Sequence, residues 1–499
     1  MLAKNEILRL GLAEKRQIAG ALLRGAFRAP RTFPLSFAQE QLWFMDKLRP
    51  GSPVYNIPLY VPFQGAFDAA ALRQALATLT ARHDMLRARF DLADGQPVQV
   101  IAPELAVELA FEDLSRLPAG EAKEALGRLL NEDAQKPFDL AGRCCSRYRL
   151  YKLDPANHLL SATFHHIVTD AWSLGVFVAE LNRVYQACRR GERNAPLEPL
   201  QVEYSDYARW QRAHLRGLRL SKLLSYWTTQ LAGAPHVLRL PTDRPRPEEQ
   251  SFSGTLSAFL FDDSLSAELI ALARRQGVTL FMVLLACYYA FLYRYTGQED
   301  ILVGAPVANR ALRELEPVVG LFVNTLILRV QTGDTQTFEE LLHAVQATSL
   351  AAFEHQALPF PKLVDELNVE RVPGYPPLYQ VVFNFQNASL IESANPGAEG
   401  ETISQGLFPF VHSNTAKVDL NLTVTQNGAT VSGGFEYNTD LFDEGTIAGM
   451  IAHYKRIAEE VVRDPSIALI DIPLSAEAPA PEAHSQAPEQ LIEMDFSFD

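Results

Sequence analysis

Hydrophobic residues recur along this chain in two alternating rhythms. In GAFDAAALRQALATLTARHDML the positions Leu72, Leu76, Leu79 and Met85 fall at spacings that fit one helical face. The period then shortens in RARFDL and VQVIA around the turn ADGQP, which predicts a hairpin. EALGRLLNEDAQ returns to helical spacing, and YRLYKL and HLLSATFHH predict two strands around the turn DPAN. After Asp170 the period lengthens again, with Leu174, Phe177, Val178, Leu181, Val184 and Tyr185 on one apolar stripe.

The second half repeats the recipe. SAFLFDD predicts a strand, LSAELIALARRQG a helix closed by glycine, and VTLFMVLLACYYAFLYRYTG a buried helix. Strands are expected at DILVGAPV, TLILRVQ, YQVVFNFQ and VDLNLTVTQNGATVSGGFEYN, and a last helix at FDEGTIAGMIAHYKRIAEEVVRDP. The predicted class is α/β, in the two-layer α+β sense, built as two similar lobes. RRGERNAPLEPLQ breaks the pattern, so the lobes are placed at 33–200 and 201–474. Residues 1–32 read as a linker helix. Residues 475–499 read as a flexible acidic tail whose tip, LIEMDFSFD, is taken as a docking segment for a partner.

Composition narrows the class. A chain of 499 residues is too long for one ordinary core. Its 47% hydrophobic and 21% charged residues are those of a globular protein. No apolar run approaches the roughly 18 to 20 residues of a bilayer span, and the N-terminus lacks a secretory pattern. A cytoplasmic monomer without membrane contact is expected. Net charge is −14, with −6 carried by the tail, which argues against a nucleic-acid binder. Cys144, Cys145, Cys188 and Cys287 show no metal-ligand spacing and are expected to be free thiols.

Candidate chemistry concentrates in FHHIVTDAWS, residues 164–173. Strand alternation puts Phe164 and His166 on the face of Leu160 and Ala162, with His165 on the face of Ser161 and Thr163. His166 is expected to end the strand, and Thr169 or Asp170 to cap the following helix. A solitary neutral imidazole suits acceptance of a proton from an attacking amine or hydroxyl, worth about 10²- to 10⁴-fold. Its tautomer needs a hydrogen bond on the other ring nitrogen. Asp170 supplies one if the loop folds back; otherwise it forms a buried ion pair with Arg310. HHxxxD offers three metal donors, but no cluster completes a site, and no metal is expected. HExxH, GxSxG and P-loop patterns are absent.

FHHIVTDAWS resembles the HHxxxDG signature of nonribosomal peptide synthetase condensation domains. SFAQEQLWF (36–44), RHDMLRARF (82–90), YSDYARW (204–210), VGLFVNTLILR (319–329) and HQALPF (355–360) are similar to further motifs of that family, in the same order. PPLYQVVF (376–383) resembles the end of another, and together they span 33–474. The resemblance implies two chloramphenicol-acetyltransferase-like lobes in a V-shaped pseudo-dimer with a central tunnel. Carrier proteins would present donor and acceptor on phosphopantetheine arms from opposite faces, and the chain itself would bind no cofactor. His166 matches the catalytic histidine; His165 and Asp170 match structural positions, and Arg310 matches the partner of Asp170.

Departures accompany the match. Ala171 stands where the family has glycine, which removes backbone freedom and adds a methyl at the tunnel wall. ERVPGYPPL lacks the charged and serine residues usual before PPL. Trp172, Ser173, Tyr204, Asn324, Thr325 and Gln356 are candidates to line the tunnel. Trp43, Trp210, Phe322 and Phe360 read as core packing, and the basic stretch ARWQRAHLRGLRLSK as a solvated helix face. The expected reaction is condensation of a carrier-bound acyl or peptidyl thioester with a carrier-bound amine, giving an amide, or an ester from a hydroxyl. No adenylation or carrier motif follows, so a free-standing enzyme or an excised domain is expected. A starter-type acyltransferase drawing on acyl-CoA is an alternative. So is a non-catalytic recruiting domain, although such a domain is expected to have lost the histidine pair, which is intact here.

Overall fold

The computed structural model describes residues 30–192, 197–368, 372, 374–387 and 414–474. Most of the expected linker helix, the acidic tail with LIEMDFSFD and part of ERVPGYPPL lie outside the described residues.

The first half is built on a four-stranded sheet in the order β2 (Asn56–Gln64), β7 (Asn157–His165), β6 (Ser146–Lys152), β5 (Leu109–Asp113). The β7 strand runs antiparallel to both neighbours and is buried from His158 to His165. Its alternation is physical. Leu160, Ala162 and Phe164 pack on α2 (Ala69–Arg82) and α4 (Ala171–Arg189). Leu159 packs instead with Leu126 and Leu130 of α3 (Ala119–Gln135). Ser161 and Thr163, on that same face, donate to Asp133 Oδ2 at 3.3 and 2.9 Å.

A small sheet, β1 (Arg31–Pro34), β4 (Gln96–Ile101) and β3 (Ala88–Ala93), contains the predicted hairpin. Its turn is Asp94–Gly95, with φ of 50° and 73°, the conformation a two-residue hairpin turn requires.

The second half carries a six-stranded sheet in the order β10 (Asn324–Gln331), β9 (Asp300–Val307), β11 (Val381–Asn387), β12 (Leu420–Asn427), β13 (Thr430–Asn438), β8 (Gly254–Leu260). Helix α8 (Leu280–Thr296) is its central support; it starts at the Thr279 cap and ends at left-handed Gly297. Every residue from Leu280 to Tyr293 except Phe281 is buried, so its all-round apolar character serves the core. No single helix among the described residues is long and apolar enough to cross a membrane.

Two features depart from the sequence pattern. NIPLYVPFQ forms β2 despite Pro58 and Pro62, which is tolerated because β2 is an edge strand. The first core also continues past residue 200. Tyr204, Tyr207 and Ala208 of α5 (Tyr204–His214) pack in it, together with Leu315, Val318, Leu321 and Phe322 from the second half. Phe37 makes the reverse crossing into the second core beside Trp227. Trp210 is 45% exposed rather than packed in the core.

Candidate active site

The β7 strand ends at His165, one residue earlier than its pattern predicts, and His166 opens a 3₁₀ turn, His166–Val168. Three bonds fix that turn. The His166 N–H donates to the Tyr55 carbonyl at 2.8 Å. Ile167 N–H donates to His165 Nδ1 at 3.1 Å. Gln39 Nε2 reaches the Ile167 carbonyl at 3.2 Å from α1 (Phe37–Leu48), the helix of SFAQEQLWF.

The two rings do different work. His165 is buried, edge-on to Tyr55 and Phe138. Burial holds its pKa down at about 3, with His166 and Lys417 adding to the effect. The His166 ring is half-buried, and its Nδ1 lies 2.8 Å from the Thr169 carbonyl. A carbonyl only accepts, so Nδ1 carries the proton and the lone pair sits on Nε2. Burial first and Lys417 second hold the His166 pKa down at about 4. The orienting group is therefore Thr169 and not, as expected, the Asp170 carboxylate.

Asp170 is the N-cap of α4 and is enclosed by donors. Its Oδ1 accepts from Ser173 N–H at 2.8 Å and from Arg310 Nη2 at 3.3 Å. Its Oδ2 accepts from Phe322 N–H at 2.9 Å and Val323 N–H at 3.1 Å. Arg310 also donates to Ser173 Oγ at 2.7 Å, Val318 O at 2.7 Å and the Leu315 carbonyl, with its guanidinium 4.0 Å from the Phe322 ring. A buried ion pair holds only when its remaining donors and acceptors are satisfied. Here this pair binds the start of α4 to the 315–323 segment.

Among the described residues no group of three His, Cys, Asp or Glu side chains could hold a metal. All four cysteines are free, with the Cys145 and Cys287 thiols pushed up by burial.

A family model for the condensation domain matches residues 30–479. The chain belongs to the condensation-domain family. A linear gramicidin synthase of Brevibacillus parabrevis is 44% identical over 451 residues, covering 90% of this chain and 9% of the synthase. Phosphinothricin tripeptide synthetase PhsC of Streptomyces viridochromogenes is 40% identical over 442 residues, covering 88% of this chain and 40% of the synthetase. This condensation domain thus spans well under half the length of either relative. Among solved structures, a four-domain nonribosomal peptide synthetase bound to AMP and glycine aligns with a TM-score of 0.79 at 22% identity, over 90% of this chain and 34% of that one. The X-domain from teicoplanin biosynthesis aligns at 0.77 and 26%, over 89% and 98%. The mixed α/β architecture is that of condensation domains.

The condensation-domain motifs divide into chemistry and scaffold. In RHDMLRARF, Arg82 and His83 pair with Glu180, while Asp84 accepts from Arg31, Arg87 and Ser205. Ala171 opens α4 exposed and outside the left-handed region, so glycine's freedom is not needed there. Two expected wall residues are corrected. Ser173 and Tyr204 are fully buried, with Ser173 Oγ bonded to Gly320 and Tyr204 OH to the Leu321 carbonyl at 2.6 Å. Gly320 is itself dictated by packing, because a Cβ there would overlap the Tyr204 ring.

Asn324 acts as a latch. Its Nδ2 donates to the Gln356 and Leu358 carbonyls at 2.9 and 2.8 Å, and its Oδ1 accepts from Phe360 N–H at 2.9 Å. The HQALPF loop is thereby pinned to β10. Gln356 takes part through its backbone and keeps a half-exposed side chain. Thr325 is half-buried against the Tyr379 hydroxyl. Trp172 is half-buried and donates its indole N–H to the Glu316 carbonyl at 2.9 Å. Sequence reasoning misses Lys417: TAKVDL carries no pattern that marks it, and only the fold brings it to the histidines.

Proposed function

We propose that this condensation domain joins a carrier-bound acyl or peptidyl thioester to a carrier-bound amine, as an acyltransferase with no cofactor of its own. The observation that carries the reading is the His166 ring: Nδ1–H spent on Thr169, Nε2 left with its lone pair. The incoming amine attacks the thioester carbonyl, forming the C–N bond and a tetrahedral adduct. Nε2 takes the proton released from the amine nitrogen. The adduct collapses, the C–S bond breaks, and the departing thiolate receives that proton to leave as the free phosphopantetheine thiol. A hydroxyl acceptor follows the same course to an ester. Proton acceptance contributes about 10²- to 10⁴-fold, and holding both arms at near-attack distance supplies further acceleration.

His165 and the Asp170–Arg310 pair support this ring and do not meet substrate. Trp172, Thr325 and Gln356 keep accessible surface and are assigned to the substrate channel, with Asn324 holding the adjoining loop. Lobes at 33–200 and 201–474, a cytoplasmic monomer and a carrier-docking tail complete the reading.

The test loads one carrier protein with an acyl group and another with an amine, and follows product by intact-protein mass spectrometry. Wild type is expected to give product, and His166→Ala to lower the rate about 10²-fold or more. Product from acyl-CoA with no donor carrier would replace the carrier donor by a starter-type donor. A second reading rests on the 26%-identical X-domain, also solved in complex with OxyB: a domain that recruits a partner without catalysis. Equal behaviour of wild type and His166→Ala across a broad donor panel would favour it.

A further inference from the structure

Lys417 brings a positive charge from the second half of the chain to the histidine pair. It stands just before β12 and crosses to the first half, with Nζ 5.3 Å from the centre of the Tyr55 ring. Tyr55 is the residue whose carbonyl receives the His166 N–H. Lys417 keeps accessible surface, yet the surrounding protein desolvates its ammonium enough to lower its pKa. An ammonium on an outer face would show the first property without the second. Lys417 therefore projects into an internal recess, and half-buried His166, desolvated in the same way, borders it.

We propose that Lys417 is a positioning residue of the condensation reaction, whose ammonium keeps the Nε2 atom of His166 free of a proton. Two cations held close in a desolvated site repel, and the imidazole is the one that gives way. The groups facing His166 agree on the sign. His165, from β7, is itself neutral. Asp170, at the start of α4, pulls the other way, but its carboxylate is engaged by Arg310 and three backbone N–H groups. Tyr55 presents its carbonyl to the backbone N–H and not to the ring. Glu436 on β13 attracts Lys417 and steadies its charge.

The role has two consequences for catalysis. The base is empty when the amine arrives. Once it has taken the proton, repulsion from Lys417 favours passing that proton on to the departing thiolate. The effect on rate rests on the proposed condensation activity; the effect on protonation does not.

The experiment follows His166 by NMR in protein labelled at histidine Cε1, with the signal assigned from His166→Ala. Wild type is expected to hold the neutral-ring shift from about pH 8 down to about pH 5. In Lys417→Met the signal should titrate within that range, its midpoint moved toward the ordinary 6.5, while Lys417→Arg should track wild type. With loaded carriers, the acid limb of kcat/KM should move up in Lys417→Met, with KM at neutral pH unchanged. Identical titrations in wild type and folded Lys417→Met overturn the proposal. So does a raised KM with an unmoved acid limb, which would make Lys417 a substrate anchor. Should no donor and acceptor pair give product, the condensation reading fails, and the NMR titration still decides the role of Lys417.

Discussion

At the scale of single residues, the histidine pair shows how two like side chains in sequence are given unlike tasks. The strand end turns one ring into the core and leaves the other at a recess. His165 accepts a backbone hydrogen bond on Nδ1 and is deeply buried, so its charged form is excluded. That preference couples stability to pH. Its folded pKa, about 3, lies below the unfolded value of 6.5, so on acidification the unfolded chain takes up the proton first. The contribution is complete above the unfolded value and is lost as pH falls toward the folded one. His165→Asn keeps an acceptor for Ile167 N–H but does not titrate. Wild type is expected to lose more of its urea midpoint than this variant between about pH 7 and about pH 5, read by circular dichroism.

At the scale of elements, what is legible in the sequence is what local physics decides. Asp94–Gly95 demands a hairpin, Asp170 caps a helix, and the apolar run from Leu280 needs a core on every side. The β2 strand is illegible because its prolines argue locally against a strand, and only its place at the sheet edge removes the conflict. The buried hydroxyls of Ser173 and Tyr204 escape notice for a related reason: motif membership says nothing about which way a side chain is spent. Thr169 and Lys417 cannot be found at all, one acting through its backbone and the other through a contact made across the fold. Asn324 makes the complementary case, a polar residue whose three bonds hold a neighbouring loop. Asn324→Ala should destabilise by about 1 to 3 kcal/mol through the unpaired groups left behind. Hydrogen exchange is expected to rise in residues 355–360 with little change in β9 and β10; uniform change across the sheet would contradict the latch.

At the scale of the whole molecule, the two halves are joined by more than the chain that links them. The first core takes Phe322 and its neighbours from the second half, the second takes Phe37, and the Asp170–Arg310 pair ties helix start to loop. A division drawn at residue 200 from composition misses this because linker-like residues mark where a chain is exposed, not where a core stops. Arg310→Met should cost about 3 to 5 kcal/mol by stranding the Asp170 carboxylate. A lowered melting temperature measured by calorimetry is expected, together with loss of condensation. A variant that melts like wild type would mean that the pair is dispensable to the join.

The carbonyl that holds His166 has a bearing on how such a domain changes over generations. Side chains drift; a main-chain oxygen at position 169 cannot be mutated away without breaking the turn itself. Every descendant that still folds inherits the same tautomer, whatever has happened to the residues around the channel. Selectivity for acyl group and amine is then free to wander while the proton acceptor stays in place, and a library randomised at Trp172, Thr325 and Gln356 would explore new products without having to rediscover the base.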